Sequence, residues 1–445
     1  MTSRHSIRTL VRTSAAAVIA ALVVAVSACG GSSGGSGASG GSGSTKGQTI
    51  TYWASVEGTG PQQTTQTLTK QFAAFTKQTG IKVNLQVIPW ATLLQKILTA
   101  VTSGNGPDVM EIGNTWASSF AASGGFLSFD PSVMSQIGGS GKFSKAALSV
   151  AGAPGKDPVS VPVYSESYGL FYNKADFKAA GIAQPPATWK EFQADARKLT
   201  TGGRYGAAIE GASTSEAAHW AFLLGEQNGS PLQKNGKWNF ATPAEAKAIS
   251  TYINLIGSGV VNKSDAQSNS NVSESEFASN KAAMLVWQNP MSALAQLGMK
   301  SSDYGIAPIP VASGGKPVET FPAGINLAVP SSTQHQAAAL QLVKYMTSPA
   351  AQASVNNTYG TFPPVLAAQS APPFQTPGQK TLIKIYNSQS TPLPPVPSES
   401  TMETDLGGAI THLIGTAATG GTVSAATIQA ALTSAQDQLN AASGS

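Results

Sequence analysis

The sequence predicts an α/β fold built from more than one domain, and three observations carry that reading. From Gln48 onward, short runs with a period of two alternate with longer runs of helical spacing. Strand–helix alternation of this kind implies a parallel sheet joined by crossover helices. At 445 residues the chain can bury a large core, which usually divides at this length. Apolar residues make up 41% and charged residues 11%, which argues against charge-driven disorder and against a nucleic-acid groove.

The elements follow in order. QTITYW opens as a strand, and Leu68, Phe72 and Phe75 then fall at helical spacing. In IKVNLQVI, Ile81, Val83, Leu85 and Val87 alternate with polar residues, so this is a second strand. Leu93, Leu94, Ile97, Leu98 and Val101 return to helical spacing, and Gly104-Asn105-Gly106-Pro107 stops that helix before the strand DVMEI. A second region opens after VPVYSES, with GLFYN as a strand. Thr188 and Glu191 form a capping box for a helix through Leu199, and Thr242 and Glu245 another, with Pro243 at the first helical position. KAAMLVW and GINLAVP are further strands, and the tail from about Ser370 is Pro-rich, then Ala/Thr-rich and helical near its end.

The N-terminus carries Arg4, Arg8 and Arg12, then an apolar run ending at Ala28, then Cys29 and a Gly/Ser stretch. A basic segment, a short apolar segment and small residues make a secretory signal peptide over residues 1–28. The apolar run is too short to span a bilayer. Cys29, the only cysteine, stands directly after the cleavage site and resembles the bacterial lipoprotein signal, in which that thiol is lipidated. The expectation is a protein anchored by Cys29 to the extracytoplasmic face of a bacterial membrane, with residues 29–47 as anchor and tether. Such a tether has an r.m.s. reach of about 23 Å.

The formal charge of +5 includes those three arginines, so the chain after cleavage is near +2. Only Arg197 and Arg204 then remain as arginines, which disfavours an anionic ligand. Gly138–Phe143 (GGSGKF) looks like a phosphate loop but lacks its first glycine and the Ser/Thr after the lysine. His219, His335 and His412 are too scattered to suggest a metal site, and no cofactor is expected.

Four stretches, in this order, resemble the sugar-binding, maltose-binding-like family of extracellular solute-binding proteins of ABC importers. They are ITYWASVEG; FAAFTKQTGIKV with LTAVTSGNGPDVMEIGNTW; VPVYSESYGLFYNKADFKAAGIAQPPATWKEFQADARKLT; and YGIAPIP through FPAGINLAVP to LVKYMTSPAAQ. The resemblance covers about Gln48 to Pro364. It implies a periplasmic-binding-protein type II fold with two lobes, a hinge and a ligand cleft between them. Lobe I then spans residues 48–163 and lobe II residues 164–322, with a first crossing near 164–168. Residues 323–445 form a returning segment whose C-terminal helices are shared. It also implies a monomer that takes a carbohydrate ligand, docks on an ABC permease, and is not an enzyme.

A sugar-binding cleft needs flat aromatic platforms and groups that both donate and accept hydrogen bonds. Trp53 ends the first strand and Glu57 follows it; by resemblance both line the cleft, Trp53 otherwise being a core residue beneath the loop. Asn114, Thr115 and Trp116 stand in the family's second cleft loop, where Trp116 either stacks on ligand or packs on Phe120. Glu166 and Tyr168 lie at the hinge, as ligand contacts or as groups fixing lobe orientation. Trp220 is either a site residue or packing in an Ala-rich helix, and Trp287 holds a family cleft position. Gly324 allows close backbone approach, Asn326 is a hydrogen-bonding candidate, and Tyr359 and Phe362 border a turn that roofs the site. Trp189 and Trp238 read as structural. The scarce arginine and plentiful tryptophan point to a neutral sugar. A glycan-active enzyme using Glu57 and Glu166 as its two carboxylates is the alternative, with a surface sensor or adhesin as a third reading.

Overall fold

Alternation along the first strand sets up a sheet with a core on each face. In β1 (Thr49–Ser55), Ile50, Tyr52 and Ala54 pack on one side with Leu68, Phe72 and Phe75, whereas Trp53 packs on the other with Leu93, Ile97 and Met110. The computed structural model describes residues 44–269 and 272–442, so Cys29, the signal peptide and most of the tether lie outside the described residues. β2 (Lys82–Ile88) and β3 (Val109–Gly113) flank β1 in parallel, connected by helices Pro61–Thr79 and Trp90–Ser103. Gly80 and Gly104 end those helices at φ +77° and +69°, left-handed values that a Cβ would penalise.

The parallel order stops there. β4 (Ser160–Glu166) is separated from β3 by β10 (Ala323–Ala328), which runs antiparallel to both, giving the order β2-β1-β3-β10-β4. The expected parallel sheet is therefore correct for β1–β3 alone, because the strand returning from far along the chain enters from the opposite end.

β5 (Tyr168–Asn173) begins a second sheet. β8 (Met284–Gln288) and β9 (Tyr304–Ala307) pair antiparallel on either side of it, and a small hairpin, β6 (Gln233–Lys234) with β7 (Lys237–Trp238), stands apart. Leu170 faces a large core with Trp189, Phe192, Trp220, Tyr252, Leu406 and Leu432, and its neighbour Phe171 faces another with Phe277, Leu382 and Tyr386. Each fully buried side chain of this size is worth about 1.5–3 kcal/mol in transfer free energy.

Thr188 caps helix Trp189–Leu199 with a complete capping box. The second expected box is only half made. Thr242 accepts from the Glu245 N–H at 3.1 Å, but the Glu245 carboxyl turns into the core beside Gly225. Burial pushes that carboxyl well above the usual range.

Between Glu166 and Tyr168 the chain passes from the first sheet to the second. It returns between Ala307 and Ala323, and crosses again beyond Tyr359, where Phe362 exchanges two 3.0 Å backbone hydrogen bonds with Ser165. The crossings are pinned together: Ser167 N–H donates to Asn289 Oδ1 at 2.9 Å, and Asn289 Nδ2 donates to the Gly360 carbonyl at 3.2 Å. Helices Gln336–Met346 and Pro349–Tyr359 join the first core, while Glu399–Ala418 and Ala425–Ala442 join the second. No described helix is long and apolar enough to cross a membrane.

Candidate functional site

The carboxyl ends of the parallel strands converge on one edge, where ligands bind in open α/β sheets. β1 delivers Val56 and Glu57, β2 delivers Trp90, and β3 delivers Asn114 and Thr115. Glu166 ends β4, and Ala323, Gly324 and Ile325 begin β10 at the same edge. The second lobe supplies Trp287 and Gln288 from the end of β8, Ser213, Ser215, Glu216 and His219 from helix Thr214–Gln227 and its cap, and Glu403 from helix Glu399–Ala418. Together they enclose a cleft of about 260 Å³.

Six of the expected site residues line this cleft: Glu57, Asn114, Thr115, Glu166, Trp287 and Gly324. The other six stand behind it, and the structure corrects their placement. Trp53 is on the wrong face of its strand, packed in the core with Lys96 Nζ 4.4 Å from its ring centroid. Trp116 is buried under Trp90, the two rings stacked 4.7 Å apart, and makes an edge contact with Phe120. Trp220 stacks on Tyr252 at 4.7 Å inside the second core. Asn326 donates to Ser160 Oγ at 2.9 Å between two strands, and Tyr359 lies edge-on to Tyr164 in the first core. Phe362 packs likewise against Tyr386 rather than roofing the cleft. Tyr168 is fully buried; its hydroxyl donates to Glu216 and accepts from Gln288 Nε2 at 2.8 Å, so it orients two cleft residues without reaching the cleft. Trp189 and Trp238 are buried, with their indole N–H groups on Gln227 and Ser398.

The hydrogen bonds fix the cleft walls. Asn114 Nδ2 donates to the Pro322 carbonyl, tying the β3 loop to the entry of β10. Gly324 sits at φ +146°, and a Cβ there would stand 2.2 Å from the Tyr164 carbonyl oxygen. Its close approach is to a neighbouring strand. Beneath the first wall, Glu111 accepts from Tyr52, Tyr164 and both the hydroxyl and N–H of Ser55 at 2.6–2.9 Å. Ser55 Oγ also lies 2.6 Å from Glu57.

The second wall is a charged chain. His219 Nε2 lies 3.1 Å from Glu403 Oε1, and its Nδ1 lies 3.2 Å from the Tyr168 hydroxyl and 3.7 Å from Glu216. Trp116 Nε1, from the first lobe, donates to Glu403 Oε2 at 3.2 Å, so this chain links the two lobes. Burial alone would lower the His219 pKa; hydrogen bonds and charge from Glu216 and Glu403 outweigh it and push it up to about 9. Burial, then repulsion from Glu166 and Glu111, hold the Glu57 carboxyl well above the usual range. Burial and the nearby Glu216 push Glu166 up to about 7.

Trp90, Glu210, Glu216, His219, Phe321 and Glu403 also line the cleft and were not among the expected residues. Trp90 had a signal: it follows Ile88-Pro89 at a strand end. His219 and Glu403 had none, being 184 positions apart. Among the described residues no group of three or more His, Cys, Asp or Glu is placed to hold a metal ion.

The arrangement has known counterparts. A Brucella abortus protein described as a binding protein is 27% identical over 238 residues, 53% of this chain and 57% of that one, so the match spans little more than half of its length. The diacetylchitobiose binding protein DasA of Streptomyces coelicolor is 28% identical over 362 residues, 80% of this chain and 82% of that one. Among solved structures, an ABC transporter solute binding protein from Thermotoga lettingae bound with α-D-tagatose superposes with a TM-score of 0.77 at 21% identity, over 88% of this chain and 99% of that one. The family model for bacterial extracellular solute-binding proteins matches residues 60–353, across both sheets and the cleft between them, and the chain belongs to that family.

Proposed function

We propose that this protein is the substrate-binding subunit of an ABC importer, which captures a mono- or oligosaccharide between its lobes and hands it to a membrane permease. The observation that carries the reading is the composition of the cleft: two indole rings, Trp90 and Trp287, with Asn114, Thr115, Gln288 and carboxylates drawn from both lobes. Flat apolar faces suit a sugar ring, and groups on opposite walls let a ligand favour the closed arrangement through contacts it makes with both. The DasA relative supports a carbohydrate as ligand. Attachment at Cys29 to the extracytoplasmic membrane face completes the proposal and rests on the signal-like residues before it, and a monomer rests on the family resemblance alone.

The enzyme alternative needs two carboxyl groups whose pKa values are pushed apart, one acid and one base. Burial raises the pKa of both Glu57 and Glu166, and turnover of the bound sugar separates the two readings. A thermal-shift screen against mono- and disaccharides, polyols, amino acids, oligopeptides and phosphate esters tests the proposal, since a ligand of the folded state raises Tm by mass action. A shift with sugars and no turnover of the bound sugar is expected. A flat response to every sugar, or release of a hydrolysed product, overturns it.

A further inference from the structure

The cleft is far more acidic than the chain. The chain carries 27 Lys and Arg against 22 Asp and Glu, yet the 20 lining residues include five glutamates, one histidine and neither lysine nor arginine. The glutamates come from separate segments: Glu57 after β1, Glu166 at the end of β4, Glu210 and Glu216 around the start of helix Thr214–Gln227, and Glu403 from helix Glu399–Ala418. His219 lies between Glu216 and Glu403 and compensates that wall. On the opposite wall Glu166 stands close enough to Glu57 to raise its pKa, and Ser55 Oγ lies 2.6 Å from Glu57.

A neutral polyol presents hydroxyls that accept as well as donate, and asks for a balanced wall. A positive charge beside Glu57 and Glu166 draws both carboxyls into the ionised form, in which they only accept. A wall of carboxylates repels anions and is matched by a ligand that brings donors and positive charge. We propose that the ligand of this cleft is a carbohydrate carrying a protonated amine, held against Glu57 and Glu166 while its ring lies between Trp90 and Trp287. This deepens the carbohydrate reading above and depends on it.

Isothermal titration of the purified protein with two matched sets of three tests it: glucosamine, N-acetylglucosamine and glucose, and their β-1,4-linked dimers. The amine member should bind at least tenfold tighter than both neutral members of its set. Raising the salt concentration should weaken that preference, as should Glu57→Gln or Glu166→Gln. The ligand comparison uses the unaltered protein, so it stands even where a variant folds poorly. Equal or tighter binding of the acetylated or hydroxyl member overturns the amine inference and leaves the carbohydrate reading intact. No binding by any carbohydrate, with a response to another ligand class, overturns both.

Discussion

Replacing His219 with glutamine removes the one cation from a wall that holds Glu216 on its own helix, Glu403 on helix Glu399–Ala418, and the Tyr168 hydroxyl on β5. In the folded protein the imidazolium persists to a pH of about 9, whereas in the unfolded chain it titrates near 6.5. The folded state therefore holds the extra proton between those values. The stability it confers is complete below about 6.5 and is lost as the pH rises through about 9. The gap corresponds to roughly 3 kcal/mol. Burial at Glu166, Asp265 and Glu319, each pushed up to about 7, also lowers stability as pH rises from the usual carboxylate range. Those contributions occur in both proteins and cancel in the difference. Urea denaturation of the parent and His219→Gln at intervals from about pH 6 to 9.5 isolates the histidine. The stability difference should be largest at the acid end and shrink by roughly 3 kcal/mol across the range. A difference that stays constant to within about 0.5 kcal/mol would refute the argument, because it would mean that His219 titrates alike in both states.

Three further outcomes are expected. Trp287→Ala should weaken binding of the sugar found in the thermal-shift screen more than tenfold, measured by titration calorimetry; unchanged affinity would remove Trp287 from the ligand's path. Gly324→Ala should cost at least about 2 kcal/mol in urea denaturation, since its φ of +146° is strained for alanine and the new Cβ would meet the Tyr164 carbonyl; a cost within about 0.5 kcal/mol would show that the strand contact yields easily. Cys29→Ser should release the protein from the membrane fraction on cell fractionation, and continued membrane association would sink the lipid-anchor proposal.

Much of the first sheet was legible because its information is local. The period of two in IKVNLQVI and the glycines after each helix need no distant partner, and β1–β3 form where those patterns place them. Glu57, Asn114 and Thr115, expected in the cleft from the family resemblance, stand just past strand ends, where parallel strands all finish on one edge. Aromatic identity misled where it overrode that same periodicity. Tyr52 and Trp53 are neighbours, so they point to opposite faces, and Trp53 belongs to the core beneath the sheet whatever its affinity for a sugar ring. The indole that reaches the cleft is Trp90, two residues past the end of β2, and Trp116 serves as the surface on which Trp90 stacks.

What no local pattern held is the pairing of distant segments. Tyr168, Glu216, His219 and Glu403 make one hydrogen-bonded group only after the last long helices fold back across the second lobe. Each glutamate alone reads as an ordinary solvated side chain, and composition averages them against lysines elsewhere on the surface. That average also shaped the expectation of a neutral ligand. Scarce arginine disfavours an anion, and the carboxylate-lined cleft argues in the same direction. The step from "not anionic" to "neutral" does not follow from the cleft, whose lining has carboxylates on both walls and a single histidine to balance them. Charge at a binding site is set by which side chains the fold brings together, so the sign of the ligand is read from the cleft and not from the chain.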